Sequence, residues 1–130
     1  MIKAALLLAL PLTMACLPPP AIAPGALDKT AWHFTSIDGK APIGKDARLT
    51  FSDGRVGANV GCNGLGSDFR VVGRRLMTGP VIGTQMFCEG LMDQERAVSQ
   101  LLSSQPVVAL RGSVMMLEGN GHKAELRRKD

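Results

Sequence analysis

The chain has few aromatic residues and no long hydrophobic segment. Its 130 residues include four phenylalanines, one tryptophan and no tyrosine. Proteins that bind single-stranded nucleic acid stack the bases on aromatic side chains within a basic groove. Because the chain lacks the residues for such a surface, we expect no nucleic-acid partner. The apolar run at residues 4–12 is far shorter than the roughly 20 residues needed to span a bilayer.

Charge of either sign is also sparse and evenly distributed. The chain carries 15 basic and 11 acidic residues, which gives a formal net charge of +4. Basic residues cluster only at residues 74–75 and 127–129. We interpret both clusters as solvated surface.

Residues 1–23 have the pattern of a secretory leader. Lys3 precedes the apolar run, and a positive charge before a short apolar segment is typical of a signal peptide. Prolines at positions 18–20 and at position 24 follow, and they would break any helix or strand of a mature domain. The sequence therefore predicts export, with residues 1–23 forming a signal peptide and a proline-rich tether.

Two cleavage sites compete within this leader. Residues 12–16, Leu-Thr-Met-Ala-Cys, resemble a bacterial lipobox, in which Cys16 becomes the lipidated first residue, although Thr13 and Met14 match it poorly. Residues 21–23, Ala-Ile-Ala, instead fit ordinary signal removal, although Pro24 follows them. Three cysteines leave one unpaired in an exported protein. Since lipidation of Cys16 accounts for that one, we favour a lipoprotein attached to a membrane through Cys16.

Short apolar segments separated by glycine predict β-strands and turns from position 30 onward. Residues 89–102 differ, because Leu91, Val98 and Leu102 recur at helical spacing. The fold class predicted is mainly β (α+β), with a small antiparallel sheet or barrel and one amphipathic helix packed against it. The predicted strands are residues 31–37, 48–51, 55–58, 69–72, 74–77, 107–110, 114–117 and 123–127.

Cys62 and Cys88 remain once Cys16 is assigned to the lipid. In an oxidising compartment we expect them to form a disulfide. The bond would close a loop of 27 residues, counting both cysteines. Asn63-Gly64, next to Cys62, predicts a tight turn with positive φ.

No catalytic or metal-binding pattern emerges from the residues. The glycines of residues 61–66 lack the lysine of a phosphate-binding loop. Cys62, Cys88, His33 and His122 could supply four zinc ligands, but their spacing matches no zinc-finger pattern. The same two histidines are the only bases available to a catalytic cysteine. We therefore expect a protein that is not an enzyme and has no metal and no cofactor.

Two motifs together resemble the META/HslJ-like domain family. They are G-C-N at residues 61–63 and T-x-M-x-C at residues 84–88, and a helix and a closing meander follow them. The resemblance covers residues 30–128 and departs at Leu65, where the family often has an aromatic residue. It implies a small antiparallel β domain with one helix, found in bacterial envelope proteins that are often lipoproteins. The motif positions on this chain are Gly61, Asn63, Gly64, Thr84 and Met86.

The resemblance also implies a link to stress and antibiotic tolerance, without established catalytic residues. Our leading hypothesis is a non-enzymatic domain of the bacterial periplasm that is anchored to a membrane and binds an envelope component. The alternative is a periplasmic carrier of a small apolar ligand, since the seven methionines would suit an adaptable pocket. An enzyme of unknown class comes third.

Overall fold

The structure is a computed structural model that describes residues 8–12, 17 and 20–130. Within these residues, nine strands and one helix follow one another. The helix, α1 (Met92–Ser103), lies between the sixth and seventh strands. The strands are β1 (Thr30–Ile37), β2 (Arg48–Ser52), β3 (Arg55–Asn59), β4 (Gly64–Val72), β5 (Arg75–Thr78), β6 (Ile82–Gly83), β7 (Val107–Arg111), β8 (Val114–Gly119) and β9 (His122–Arg128).

Eight of these strands form a closed antiparallel barrel. Their order is β3-β2-β1-β9-β8-β7-β5-β4, and pairing between β3 and β4 closes the circle. The two-residue strand β6 pairs with the first part of β4, where β5 does not reach. The predicted class, a mainly β domain with one helix packed against a sheet or barrel, is confirmed.

Alternation of apolar and polar residues explains why the strands close around a core. In β2, Leu49 and Phe51 are buried while the residues between and beside them are exposed. The same alternation places Met115 and Leu117 of β8 inside the barrel. An eight-stranded barrel is just wide enough for such side chains to fill it, so the interior is a packed core.

The barrel has two ends, which we call the helix end and the N-terminal end. The helix end comprises residues 38–47, 60–63 and 79–91, together with α1, whose buried residues include Val98 and Leu101. The N-terminal end comprises residues 20–29 and the turns at residues 53–54, 73–74 and 112–113. These turns join strand ends that lie opposite those reached by α1.

The segment before β1 packs onto the N-terminal end. The Ile22 backbone N–H donates a hydrogen bond to the Gly73 carbonyl at 2.9 Å. The Ile22 side chain is only 9% exposed and belongs to the core cluster, together with fully buried Leu27. Part of the segment that the sequence assigns to the leader and tether is therefore packed against the domain.

Several local features differ from the sequence prediction, including the start of β4 at Gly64 instead of residue 69 and the additional short strand β6. The helix begins at Met92 instead of residue 89, because Gly90 has φ +79°, which is incompatible with a helical turn. The predicted positive-φ turn at Asn63-Gly64 is wrong, since Gly64 is the first residue of β4. The positive φ lies at Gly61 (+120°), where an added Cβ would meet the Gly44 Cα at 2.8 Å.

Candidate functional site

The Cys62–Cys88 disulfide lies at the helix end of the barrel. The S–S distance is 1.99 Å and the Cα–Cα distance is 5.9 Å. The bond joins the β3–β4 connection to residues 84–91, which we call the disulfide loop. The disulfide expected from the cysteine count is thus present, and both sulfurs are committed to it.

Asn63 holds the disulfide loop through its side chain. Its Oδ1 accepts hydrogen bonds from the Met86 backbone N–H and the Thr84 hydroxyl, both at 2.8 Å. Its Nδ2 donates to the Met86 carbonyl and to a Glu95 carboxylate oxygen, both at 2.9 Å. An amide side chain has two donors and two accepting lone pairs, so this 2% exposed group is fully used.

The two sequence motifs are therefore the two halves of one contact. Cys62 and Asn63 of G-C-N bind, respectively, Cys88 and the backbone of Met86 in T-x-M-x-C. The Thr84 hydroxyl, in the same motif, donates a further hydrogen bond to Asn63 Oδ1. This arrangement gives a structural reason for the spacing within T-x-M-x-C.

Glu95 is a buried carboxylate that the sequence reasoning missed. It is 7% exposed and lies in the first turn of α1, where the helix dipole favours negative charge. Its Oε1 accepts a hydrogen bond from the Asn63 backbone N–H at 2.7 Å, and its Oε2 accepts from Asn63 Nδ2. The signal was available in the sequence, since Glu95 follows Leu91 by four residues on the apolar stripe of the helix.

Gln94 ties a second loop to the same helix turn. Its Nε2 donates to the Ala41 carbonyl at 3.0 Å, and its Oε1 accepts from the Ile43 backbone N–H at 2.9 Å. Gln94 is buried as well. The start of α1 therefore positions both the β1–β2 loop and the β3–β4 connection.

Two large apolar side chains extend from this fixed loop into solvent. Met86 is 57% exposed and Phe87 is 81% exposed. The Met86 backbone N–H and carbonyl are both hydrogen-bonded to the Asn63 side chain, and Cys88 is covalently linked to Cys62. We call this pair the Met86–Phe87 tip. It is an apolar surface on a constrained backbone.

A second polar cluster links β9 to α1. His122 Nδ1 lies 2.8 Å from Asp38 Oδ2, and His122 Nε2 lies 2.7 Å from Gln100 Oε1. Partial burial raises the pKa of Asp38, but the Lys123 backbone N–H and His122 outweigh that effect and hold the pKa below its usual value. These contacts join β9, α1 and the β1–β2 loop at the helix end.

The residues considered as zinc ligands do not form a site. His33 Nδ1 lies 3.7 Å from an Asp46 oxygen, whereas His122 contacts Asp38. The sulfurs of Cys62 and Cys88 are bonded to each other. Within residues 8–12, 17 and 20–130, no three His, Cys, Asp or Glu side chains are grouped to hold a metal ion.

Cys16, the predicted lipidation site, lies outside the described residues, as do its neighbours at 13–15. In the part of the chain that the structure describes, no helix is both long enough and apolar enough to cross a membrane.

These features define a class of small domain: a disulfide-linked antiparallel β-barrel covered at one end by a helix. Residues 25–130 match the family model described as the META domain. The chain therefore belongs to the META domain family, in agreement with the resemblance seen in its motifs. The family and the intramolecular disulfide are compatible with an exported protein.

Solved structures show the same fold. The chain is similar to a protein from Burkholderia xenovorans determined by NMR, with a TM-score of 0.67 and 24% identity over 93% of this chain and 97% of that one. A second NMR structure has a TM-score of 0.72 and 16% identity over 82% of this chain and 94% of the other. At these identities the likeness shows the fold alone. No curated protein matches the chain.

Proposed function

We propose that the chain is a non-enzymatic domain of the bacterial cell envelope that binds an envelope protein through the Met86–Phe87 tip. By this binding it supports tolerance of stress or antibiotics. The observation that carries the proposal is the exposure of Met86 and Phe87 on a backbone fixed by Asn63 and the disulfide.

The physics of interfaces favours this tip as a binding element. Aromatic residues and methionine are enriched in the buried centre of protein interfaces, where a few side chains carry most of the affinity. A loop that is already ordered loses less conformational entropy when it binds. The disulfide loop meets both conditions, since its apolar side chains are exposed while its backbone is held.

Replacement of Phe87 with serine tests the proposal. We expect partner binding to weaken at least about thirtyfold, equivalent to about 2 kcal/mol for a central interface residue. The free energy of unfolding should change by less than about 0.5 kcal/mol, because Phe87 is exposed. The readout is survival under envelope stress or antibiotic exposure, in a strain whose only copy of this protein is the variant. Survival should fall because partner binding is weakened.

Val72→Ser is the matched control, because Val72 is an exposed apolar residue in β4 at the N-terminal end. A strain that carries Val72→Ser should survive the same stress as well as a strain that carries the wild-type protein. If the Phe87→Ser strain also survives as well as the wild type when the two proteins are present at equal levels, the Met86–Phe87 tip is not the binding element.

Packing of Ile22 supports a lipid anchor at Cys16. Cleavage after Ala23 would remove Ile22, together with its core contacts and its hydrogen bond to Gly73. Cleavage before Cys16 would retain them, and would leave a short proline-rich tether between the lipid and the barrel. Use of the lipobox would therefore keep the whole segment that packs onto the N-terminal end.

Intact mass measured on protein extracted from membranes tests the anchor. We expect a chain that begins at Cys16, carries a diacyl or triacyl addition, and lacks two hydrogens because of the Cys62–Cys88 bond. An unmodified chain beginning at Pro24 would contradict the anchor and would leave the binding proposal standing.

The two alternative roles, a carrier of an apolar ligand and an enzyme, are less well supported by the structure. A carrier of an apolar ligand needs internal space, but the barrel interior is filled by side chains such as Phe51, Leu76 and Leu117. A groove of about 420 Å³ beside β4 and β5 opens at the surface and includes Phe69 and Met77. A cysteine nucleophile is not available while Cys62 and Cys88 are bonded.

A further inference from the structure

We propose that the N-terminal end of the barrel is a basic surface that lies against anionic phospholipid headgroups. This orientation directs the Met86–Phe87 tip, at the opposite end, away from the membrane. The inference rests on the membrane attachment proposed above and adds the surface that faces the bilayer.

Basic side chains from distant parts of the sequence meet at this end. Arg74 follows the β4–β5 turn, and its carbonyl accepts a hydrogen bond from the Val108 N–H of β7. Arg111 at the end of β7 pairs with Val114, which pairs in turn with Arg127 of β9. We call the following exposed residues the basic rim: Arg70, Arg74, Arg111, Arg127, Arg128 and Lys129.

The basic rim concentrates positive charge at one end of the barrel. None of its side chains forms an ion pair in the part of the chain that the structure describes, although Asp130 follows Lys129. Other acidic residues of this end lie around the β2–β3 turn and in β4, where Asp68 pairs with Arg55. Unpaired cations on one rim attract an anionic partner more strongly than the modest net charge indicates.

The path of the N-terminal segment points to a membrane as that partner. The Ile22 backbone N–H is hydrogen-bonded to the carbonyl of Gly73, the residue before Arg74. A lipid attached at Cys16 would therefore place the basic rim within a short tether of the headgroups. A basic patch adds electrostatic attraction to anionic lipids to the attachment that the acyl chains on Cys16 would provide. Each basic side chain near an anionic bilayer strengthens binding about fivefold.

Vesicle binding without the lipid isolates the contribution of the basic rim. The full chain carrying Cys16→Ala would be titrated with vesicles of phosphatidylcholine alone, and with vesicles that are one-third phosphatidylglycerol. We expect binding to the anionic vesicles to be at least about tenfold tighter and to decline as salt increases. The triple variant Arg74→Gln, Arg111→Gln, Arg127→Gln should lose most of that preference.

A matched triple variant at the helix end serves as the control. Lys40→Gln, Lys45→Gln, Lys123→Gln removes the same net charge from exposed side chains, so it should keep the preference within about twofold. The proposal is overturned if the Cys16→Ala protein shows no preference for anionic vesicles, if both triple variants lose it equally, or if the protein binds single-stranded DNA more tightly than the anionic vesicles. Since every sample lacks Cys16, none of these results depends on the lipid anchor. Every sample also keeps the Met86–Phe87 tip, so the tip cannot cause a difference between the two triple variants.

Discussion

Loss of the Cys62–Cys88 disulfide is expected to lower the free energy of unfolding by about 3.5 kcal/mol. The two cysteines are 26 positions apart, and chain entropy gives this value for a loop of that length. A domain of this size has a total stability of only about 5–15 kcal/mol. Urea denaturation of the Cys62→Ala, Cys88→Ala double variant measures the effect as a lower midpoint.

A reducing agent provides the control for this measurement. It should destabilise the wild-type protein by a similar amount and leave the double variant unchanged, since that variant has no bond to reduce. A loss below about 1 kcal/mol would mean that Asn63 and Glu95 hold the disulfide loop without the covalent link.

Replacement of Asn63 with aspartate is expected to cost about 3 kcal/mol or more. The new side chain has nearly the same shape, but an oxygen replaces the Nδ2 that donates to the Met86 carbonyl and to Glu95. Two acceptors lose their donor, and a second carboxylate is buried beside Glu95. Urea denaturation measures the loss, and hydrogen exchange should report faster opening of residues 84–91.

Asn59→Asp is a matched control for this substitution. Asn59 lies in the same β3–β4 region, and its Oδ1 accepts from the Gly61 N–H at 2.8 Å, a role that aspartate retains. Its effect should remain within about 0.5 kcal/mol. Adding Glu95→Gln to Asn63→Asp should recover part of the loss, because the new amide can donate to the new carboxylate. Equal losses at positions 59 and 63 would contradict the role assigned to Asn63.

Local patterns in the sequence were sufficient for most of the fold. Short apolar segments separated by glycine predicted a strand at residues 48–51 and another at residues 55–58, where the structure has β2 and β3. The helix was predicted with an early start, because the pattern could not show that Gly90 adopts a positive φ. These signals are local, since a strand or helix repeats every two or 3.6 residues along the chain itself.

The candidate site was only partly visible in the sequence. G-C-N and T-x-M-x-C marked Cys62, Asn63, Thr84 and Met86, but gave no reason why Asn63 and Met86 should belong together. The structure supplies one, because Asn63 uses all four of its hydrogen-bonding positions and three of them bind residues 84–86. The acidic partner Glu95 was overlooked because a carboxylate is rarely fully buried unless it is paired.

By itself, the sequence determined the family, the mainly β class with one helix, and the pairing of Cys62 with Cys88, because motifs, residue periodicity and cysteine count are properties of the chain alone. Only the tertiary structure decided which distant residues share a surface. Barrel closure brings Arg74 and Arg127 to one end and the Met86–Phe87 tip to the other, and it places Ile22 in the core. Such neighbours depend on long-range strand pairing, which no short segment encodes.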